Sequence, residues 1–200
     1  MSDKLSVTVF EDGPIKVSNA TAVRYCGEKV EAEGDLFLCR CGRSSNAPFC
    51  DGTHRKVGFS GENELEAKQP IKTWEGRTVR THFNPNVCMH AYYCKPLGAL
   101  REAELAGDDA AAAKIAKVVG LCPSGALRAE SKGAVLPEGK ASAWQVDIIE
   151  GGEIRLSTDC ELNVERQEGQ PADRATLCRC GKSKNKPWCD ASHTQLSDFK

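Results

Sequence analysis

An α+β chain is predicted, in which two copies of one short-stranded unit flank an insertion that carries a helix. Three observations lead there. The sixteen residues from Cys39 to His54 reappear from Cys178 to His193, ten of them identical. The offset of 139 residues also superposes residues 15–17 on 154–156 without a gap, so the repeated unit is larger than the motif. Between the copies stand a hairpin pattern and an alanine-rich segment that neither copy contains.

In chain order, Asp12-Gly13 reads as a turn before a strand at 15–17, and a second strand at 36–38 leads into the first motif. In the insertion, residues 72–74 and 77–83 flank Glu75-Gly76 as a hairpin. Residues 108–119 form a helix ended by Gly120. Strands at 144–149 and 154–156, turning at Gly151-Gly152, begin the second copy. The boundaries that follow are 1–64, 65–135 and 136–200.

Each motif holds three thiols and one imidazole, namely Cys39, Cys41, Cys50 and His54, and Cys178, Cys180, Cys189 and His193. The pattern C-x-C-x2-S-x3-P-x-C-D-(G/A)-(S/T)-H resembles the signature of CDGSH iron-sulfur domains, the family that includes mitoNEET. The second copy departs only in reading Cys-Asp-Ala-Ser-His. The resemblance covers residues 36–59 and 175–199. It implies that each set of four holds a [2Fe-2S] cluster. It implies a β-sandwich as well: single-motif members pair as homodimers, so two copies in one chain imply a monomer with an internal pseudo-dyad.

The chemistry agrees independently. Iron-sulfur clusters favour thiolates, and replacing one by neutral imidazole removes negative charge and raises the reduction potential. Zinc is the competing occupant, since it also accepts three cysteines and a histidine in a tetrahedron. The frame of Ser, Pro and Asp between the ligands favours the cluster. Asp51 and Asp190 fall where an N-cap would begin a short helix bearing the histidine, so their carboxylates are expected to accept backbone N–H bonds there.

Eleven cysteines in 200 residues suit a secreted disulfide framework only with an apolar leader, and the opening Met-Ser-Asp-Lys-Leu is not one. Nine of the eleven fall in metal-type spacings, which points to a reducing cytoplasm. Cys26 and Cys160 have no cysteine counterpart in the other copy and are expected to be buried, unligated thiols. No run is long enough to span a membrane. With a net charge of −1, neither nucleic acid nor an anionic membrane is an expected partner.

The insertion has its own cysteine logic. Cys88 and Cys94 precede the helix and Cys122-Pro123 follows it, an arrangement that resembles the divergent single-cluster ferredoxins. Bacterial ferredoxin spacing places a further cysteine three residues after the first. That position is Ala91. Cys88, Cys94 and Cys122 are expected to hold a [3Fe-4S] cluster; the alternatives are that another ligand, with His90 nearest, caps a [4Fe-4S] cluster, or that the three cysteines hold no cluster.

Tyr92, Tyr93 and Trp74 are expected to pack against this cluster and exclude water. Arg40, Arg43, Arg55 and Lys56 near the first motif, and Lys182, Lys184 and Lys186 near the second, form either a docking face for an acidic redox partner or a solvated face. No nucleophile or phosphate loop accompanies the motifs, so catalysis is not expected. Two functions fit: single-electron transfer with a reductase or acceptor as partner, or cluster donation to an apo-protein with redox or pH sensing.

Overall fold

The structure is a computed structural model that describes residues 4–31, 33–95, 98, 110–131, 133–136 and 142–199. The first copy supplies Ser6–Val9 (β1), Ile15–Ser18 (β2), Val23–Tyr25 (β3), Glu28–Val30 (β4) and Leu36–Leu38 (β5). In β1 and β2 every second residue is buried, so Val7, Val9, Ile15 and Val17 line one face of the hairpin. The turn between them closes where Phe10 and Pro14 pair, 3.1 Å from N to O.

The insertion follows with Lys72–Glu75 (β6), Val79–Phe83 (β7), Leu127–Ser131 (β8) and Ala134–Val135 (β9), an antiparallel sheet in sequence order. The expected hairpin is present, but its turn lies later, at residues 76–78. Glu75 stays in β6 because it pairs with Arg80 across the ladder at 2.6 Å. The helix spans Ala111–Gly120, while residues 108 and 109 of the expected helix lie outside the described residues. Gly120 does not stop it; Leu121 caps it, also in a right-handed conformation. Ile115 and Val119, one turn apart on a single face, pack on Val79, Leu127 and Ala129. Arg174 from the second copy reaches the carbonyls of Val119, Gly120 and Cys122 at 3.2–3.3 Å, satisfying acceptors that a helix end leaves open.

The second copy supplies Val146–Ile148 (β10), Ile154–Leu156 (β11), Glu161–Leu162 (β12) and Ala175–Leu177 (β13). Under the sequence offset β10, β11 and β13 match β1, β2 and β5, and β12 overlaps the match to β3. The two main sheets have the orders β12-β1-β2-β5 and β13-β11-β10-β3-β4. The first therefore contains one strand of the second copy, β12, and the second contains two strands of the first, β3 and β4. β12 runs parallel to β1, and β3 runs parallel to β10.

This reciprocal exchange gives the two copies their pseudo-dyad and one shared core. Val7, Ile15, Val17 and Leu38 join Val146, Ile148, Ile154, Leu156, Leu177 and Trp188 in a single buried cluster. Each fully buried aliphatic side chain stabilises the fold by about 1.5–3 kcal/mol. Neither copy could bury that surface alone. Among the described residues, no helix is long and apolar enough to cross a membrane.

Candidate metal centres

Each motif is a loop leaving the last strand of its half. Cys39 follows β5 and Cys178 follows β13, and the chain folds back so that Phe49 bridges Leu38 and Trp188 bridges Leu177. Cys39 N–H donates to Pro48 O and Cys178 N–H to Pro187 O, both at 2.8 Å. The Ser44 and Ser183 hydroxyls close the inner turn by donating to Phe49 O and Trp188 O at 2.6 and 2.7 Å. The motif's serines are thus loop braces.

The aspartates brace the other side. Asp51 accepts from Thr53 N at 3.0 Å and from the Ser45 N–H and hydroxyl at 2.8 and 2.7 Å. Asp190 accepts from Ser192 N at 3.0 Å and Lys184 N at 2.9 Å. They are not the N-caps, however. Gly52 and Ala191 hold that position with φ of 84° and 69°, starting the helix Thr53–Lys56 (α1) and a 3₁₀ turn at Ser192–Gln195. The expected carboxylate bonds form one residue earlier, because a left-handed residue must follow the aspartate to turn the chain.

The donors come in pairs. Cys39 Sγ and Cys41 Sγ lie 3.7 Å apart, and Cys50 Sγ lies 3.3 Å from His54 Nδ1. In the second motif the corresponding distances are 3.8 and 3.5 Å. Two ligands on one tetrahedral metal, with metal–sulfur bonds of about 2.3 Å, stand about 3.8 Å apart. Each pair therefore has the spacing of two ligands on one metal. Among the described residues, the only three-donor group within 4.8 Å is Glu153, Cys189 and His193, so neither motif gathers three of its own four donors around one point. Two plus two fits a two-iron cluster better than a single zinc ion.

In the insertion, Cys88, Cys94 and Cys122 line one cavity of about 140 Å³, with Met89, His90, Ala91, Tyr92, Tyr93, Pro123 and Leu127. Asn84 accepts from Asn86 N at 2.9 Å and sets the 3₁₀ turn Pro85–Val87 that presents Cys88. His90, with φ of 52°, has Nδ1 4.0 Å from Cys88 Sγ, while its own N–H points at that sulfur at 3.4 Å. Burial pushes the Cys88 thiol's pKa up, opposed by that N–H. Among the described residues, no fourth thiol lines the cavity.

A family model described as "Iron-binding zinc finger CDGSH type" matches residues 12–55 and again 148–194. A second, "Divergent 4Fe-4S mono-cluster", matches residues 74–132. The chain is a tandem CDGSH protein with a mono-cluster domain between its repeats. No curated protein and no solved structure matches it. It is an iron-sulfur protein.

The two CDGSH loops meet at the pseudo-dyad. A Cβ built on Gly42 would lie 2.4 Å from Cys180 O, and one on Gly181 would lie 2.7 Å from Cys41 O. Both residues have positive φ, 71° and 77°. Glycine is needed there twice over.

Across the same seam the motif arginines sit buried, Arg40 bonded to the carbonyls of Phe10, Glu11 and Gly13 and Arg179 to those of Ile149 and Gly152. Desolvation lowers both guanidinium pKa values, while the opposite repeat's thiols, Cys178 for Arg40 and Cys39 for Arg179, pull the other way. Each cation thus offsets negative charge at its neighbour's site. Cys41 is pushed up to about 11, mainly by burial and despite a backbone N–H, and Cys189 is pushed up by burial as well. In the Cys178–Cys180 pair the two thiols share a hydrogen bond that favours ionisation of Cys178 and opposes it at Cys180. Crowded buried thiols ionise together only when a metal balances them.

Several residues differ from expectation. Arg40 is a buried brace, and Lys186 is buried against Glu64 at 2.9 Å, so neither belongs to a docking face. Cys26 is exposed rather than buried, because it turns the β3–β4 hairpin with Gly27 at φ of 50° and 84°. Cys160 is buried as expected, beside Arg166. Tyr92 and Tyr93 line the central cavity yet stay 61% and 45% exposed, and Trp74 is not among its lining residues. Glu153, buried 3.6 Å from His193, is a residue of the second site that the sequence did not single out. Its counterpart in the first repeat is Pro14, so the repeat gave no signal for it.

Proposed function

We propose that the chain carries single electrons between a reductase and an acceptor protein in the cytoplasm, as a monomer. It would use two [2Fe-2S] clusters, one on Cys39, Cys41, Cys50 and His54 and one on Cys178, Cys180, Cys189 and His193, and a [3Fe-4S] cluster on Cys88, Cys94 and Cys122. Bound at these sites, the clusters supply one-electron couples. The residues around them keep the ligands fixed. Ser44, Ser183, Asp51 and Asp190 brace the loops, and Arg40 and Arg179 offset negative charge across the seam. Ala91 at the vacant corner of the central cavity supports three irons over four. No residue is assigned a catalytic role.

The observation that carries this reading is continuity. The backbones at Cys41-Gly42 and Cys180-Gly181 touch, and Arg155, beside the second site, contacts Tyr93, the neighbour of Cys94. Three sites joined by direct contact suit a relay. The exchanged strands complete both sheets within one chain, which supports the monomer. Repeated anaerobic reduction and reoxidation tests the reading. A carrier returns its full visible spectrum with an iron count of about seven per chain, two for each paired site and three for the central one. Loss of colour on cycling, with iron and sulfide passing to an added apo-ferredoxin, would show a cluster donor instead.

A further inference from the structure

We infer that Glu153 is a positioning residue that makes the second CDGSH site unlike the first, holding the His193 imidazole from outside and giving the cluster there the lower reduction potential of the two. The inference rests on the [2Fe-2S] assignment above.

The Glu153 side chain is 2% exposed, and its Oε2 stands 3.6 Å from His193 Nε2. Cys189 Sγ lies 3.5 Å from the other ring nitrogen, Nδ1. Glu153 and Cys189 make their closest approaches to different nitrogens of the ring, so with Nδ1 turned to the thiol side the carboxylate stands outside the Cys3His set. The grouping of Glu153, Cys189 and His193 is thus a ligand pair with an outer partner. At 3.6 Å the carboxylate is an electrostatic neighbour of the Nε2 edge, and its negative charge favours a proton on that nitrogen, which leaves Nδ1, the nitrogen facing Cys189, as the donor to iron and makes it a stronger one. Arg155 fixes the carboxylate in turn, donating from Nε to Oε1 at 2.6 Å.

The first repeat lacks this arrangement. Pro14 stands where Glu153 would be and has no side-chain acceptor, and Lys16, at the place of Arg155, turns to Asp35 at 2.9 Å. The same thiol and imidazole ligands therefore sit in two electrostatic settings. A buried carboxylate and a more basic imidazole both stabilise the oxidised iron, so both lower the potential. The site so tuned is also the one in contact with the central domain, through Arg155 and Tyr93.

The test is a redox titration of the full-length holoprotein at fixed neutral pH, followed by visible absorption and electron paramagnetic resonance. The parent should reduce its two [2Fe-2S] clusters in two resolved steps, and Glu153→Gln should raise the lower step onto the upper. A single step in the parent, a split that survives in E153Q, or an equal shift of both steps would each overturn the inference. Resonance Raman of the oxidised protein reads the same difference without reduction: two Fe–N(His) modes in the parent, one in E153Q. Two modes together with bleaching on reduction would leave Glu153 its role and defeat the carrier reading alone. Reversible cycling with one mode and one step would do the opposite. The parent's own modes and steps decide the matter if E153Q fails to assemble.

Discussion

A methyl group at Gly42 probes the seam where the two CDGSH loops meet. In Gly42→Ala the new carbon would stand 2.4 Å from Cys180 O and 2.8 Å from its carbonyl carbon, both backbone atoms that no side-chain rotation can move. The residue also keeps a φ of 71°. A left-handed conformation costs a non-glycine residue about 1–2 kcal/mol, and overpacking costs typically about 1–3 kcal/mol more. Gly52→Ala is the control, because at φ of 84° it meets nothing within 4 Å and incurs only the first cost. The second repeat already carries Ala191 at that place with φ of 69°. The difference between the two variants, about 2 kcal/mol, corresponds to roughly 4–8 °C in melting temperature for a chain of this size. Thermal unfolding followed by circular dichroism and visible absorbance reads it directly. If the two variants melt together, the loops do not touch and the contact between the paired sites is refuted.

Ala91→Cys adds a fourth thiol to the central cavity, so iron should rise from about seven to about eight per chain and the paramagnetic signal should move from the oxidised to the reduced protein; an unchanged count in anaerobic protein would exclude Ala91 as the vacant corner. Changing both His54 and His193 to Cys should slow the loss of visible colour in mild acid, since protonation competes with iron for imidazole nitrogen. Equal bleaching rates in parent and variant would clear histidine as the weak ligand. Hydrogen bonds from Ser45 and Thr53 hold the Asp51 carboxyl well below its ordinary pKa, so its contribution is present above the unfolded value of about 3.9 and is lost as pH falls through the folded one. Asp51→Asn should therefore destabilise the holoprotein at neutral pH by an amount that shrinks in strong acid, as urea unfolding at several pH values would show. Arg179→Met leaves the Gly152 carbonyl without its buried donor, at about 1–3 kcal/mol, while Ile149 O keeps the Gly152 N–H at 3.0 Å; a urea midpoint equal to the parent's would mean that water replaces the guanidinium.

Much of this was legible because the chain repeats itself. The offset that aligns Cys39 with Cys178 also carries β2 onto β11 and β5 onto β13, and local alternation places those strands within a residue or two. Parallel pairing has no local signature, so β12 beside β1 and β3 beside β10 could not be read from neighbouring residues. Arg40 looked like surface charge because its acceptors are carbonyls near the β1–β2 turn, about thirty residues away. Glu153 was hidden for the reverse reason. It is a difference between the copies, and a repeat directs attention to what they share.

The exchanged strands also bear on how the protein is made. β1 leaves the ribosome early, yet its parallel neighbour β12 spans Glu161–Leu162, and the shared core needs Leu177 and Trp188 as well. At about 5–20 residues per second, the wait is on the order of ten seconds. During that time the thiols of Cys39, Cys41 and Cys50 sit on a half-built sheet, while the intervening ferredoxin-like segment is already emerging. The sheet and core that support the first loop are complete only after translation has delivered β12, Leu177 and Trp188. The half translated first is thus finished by the half translated last.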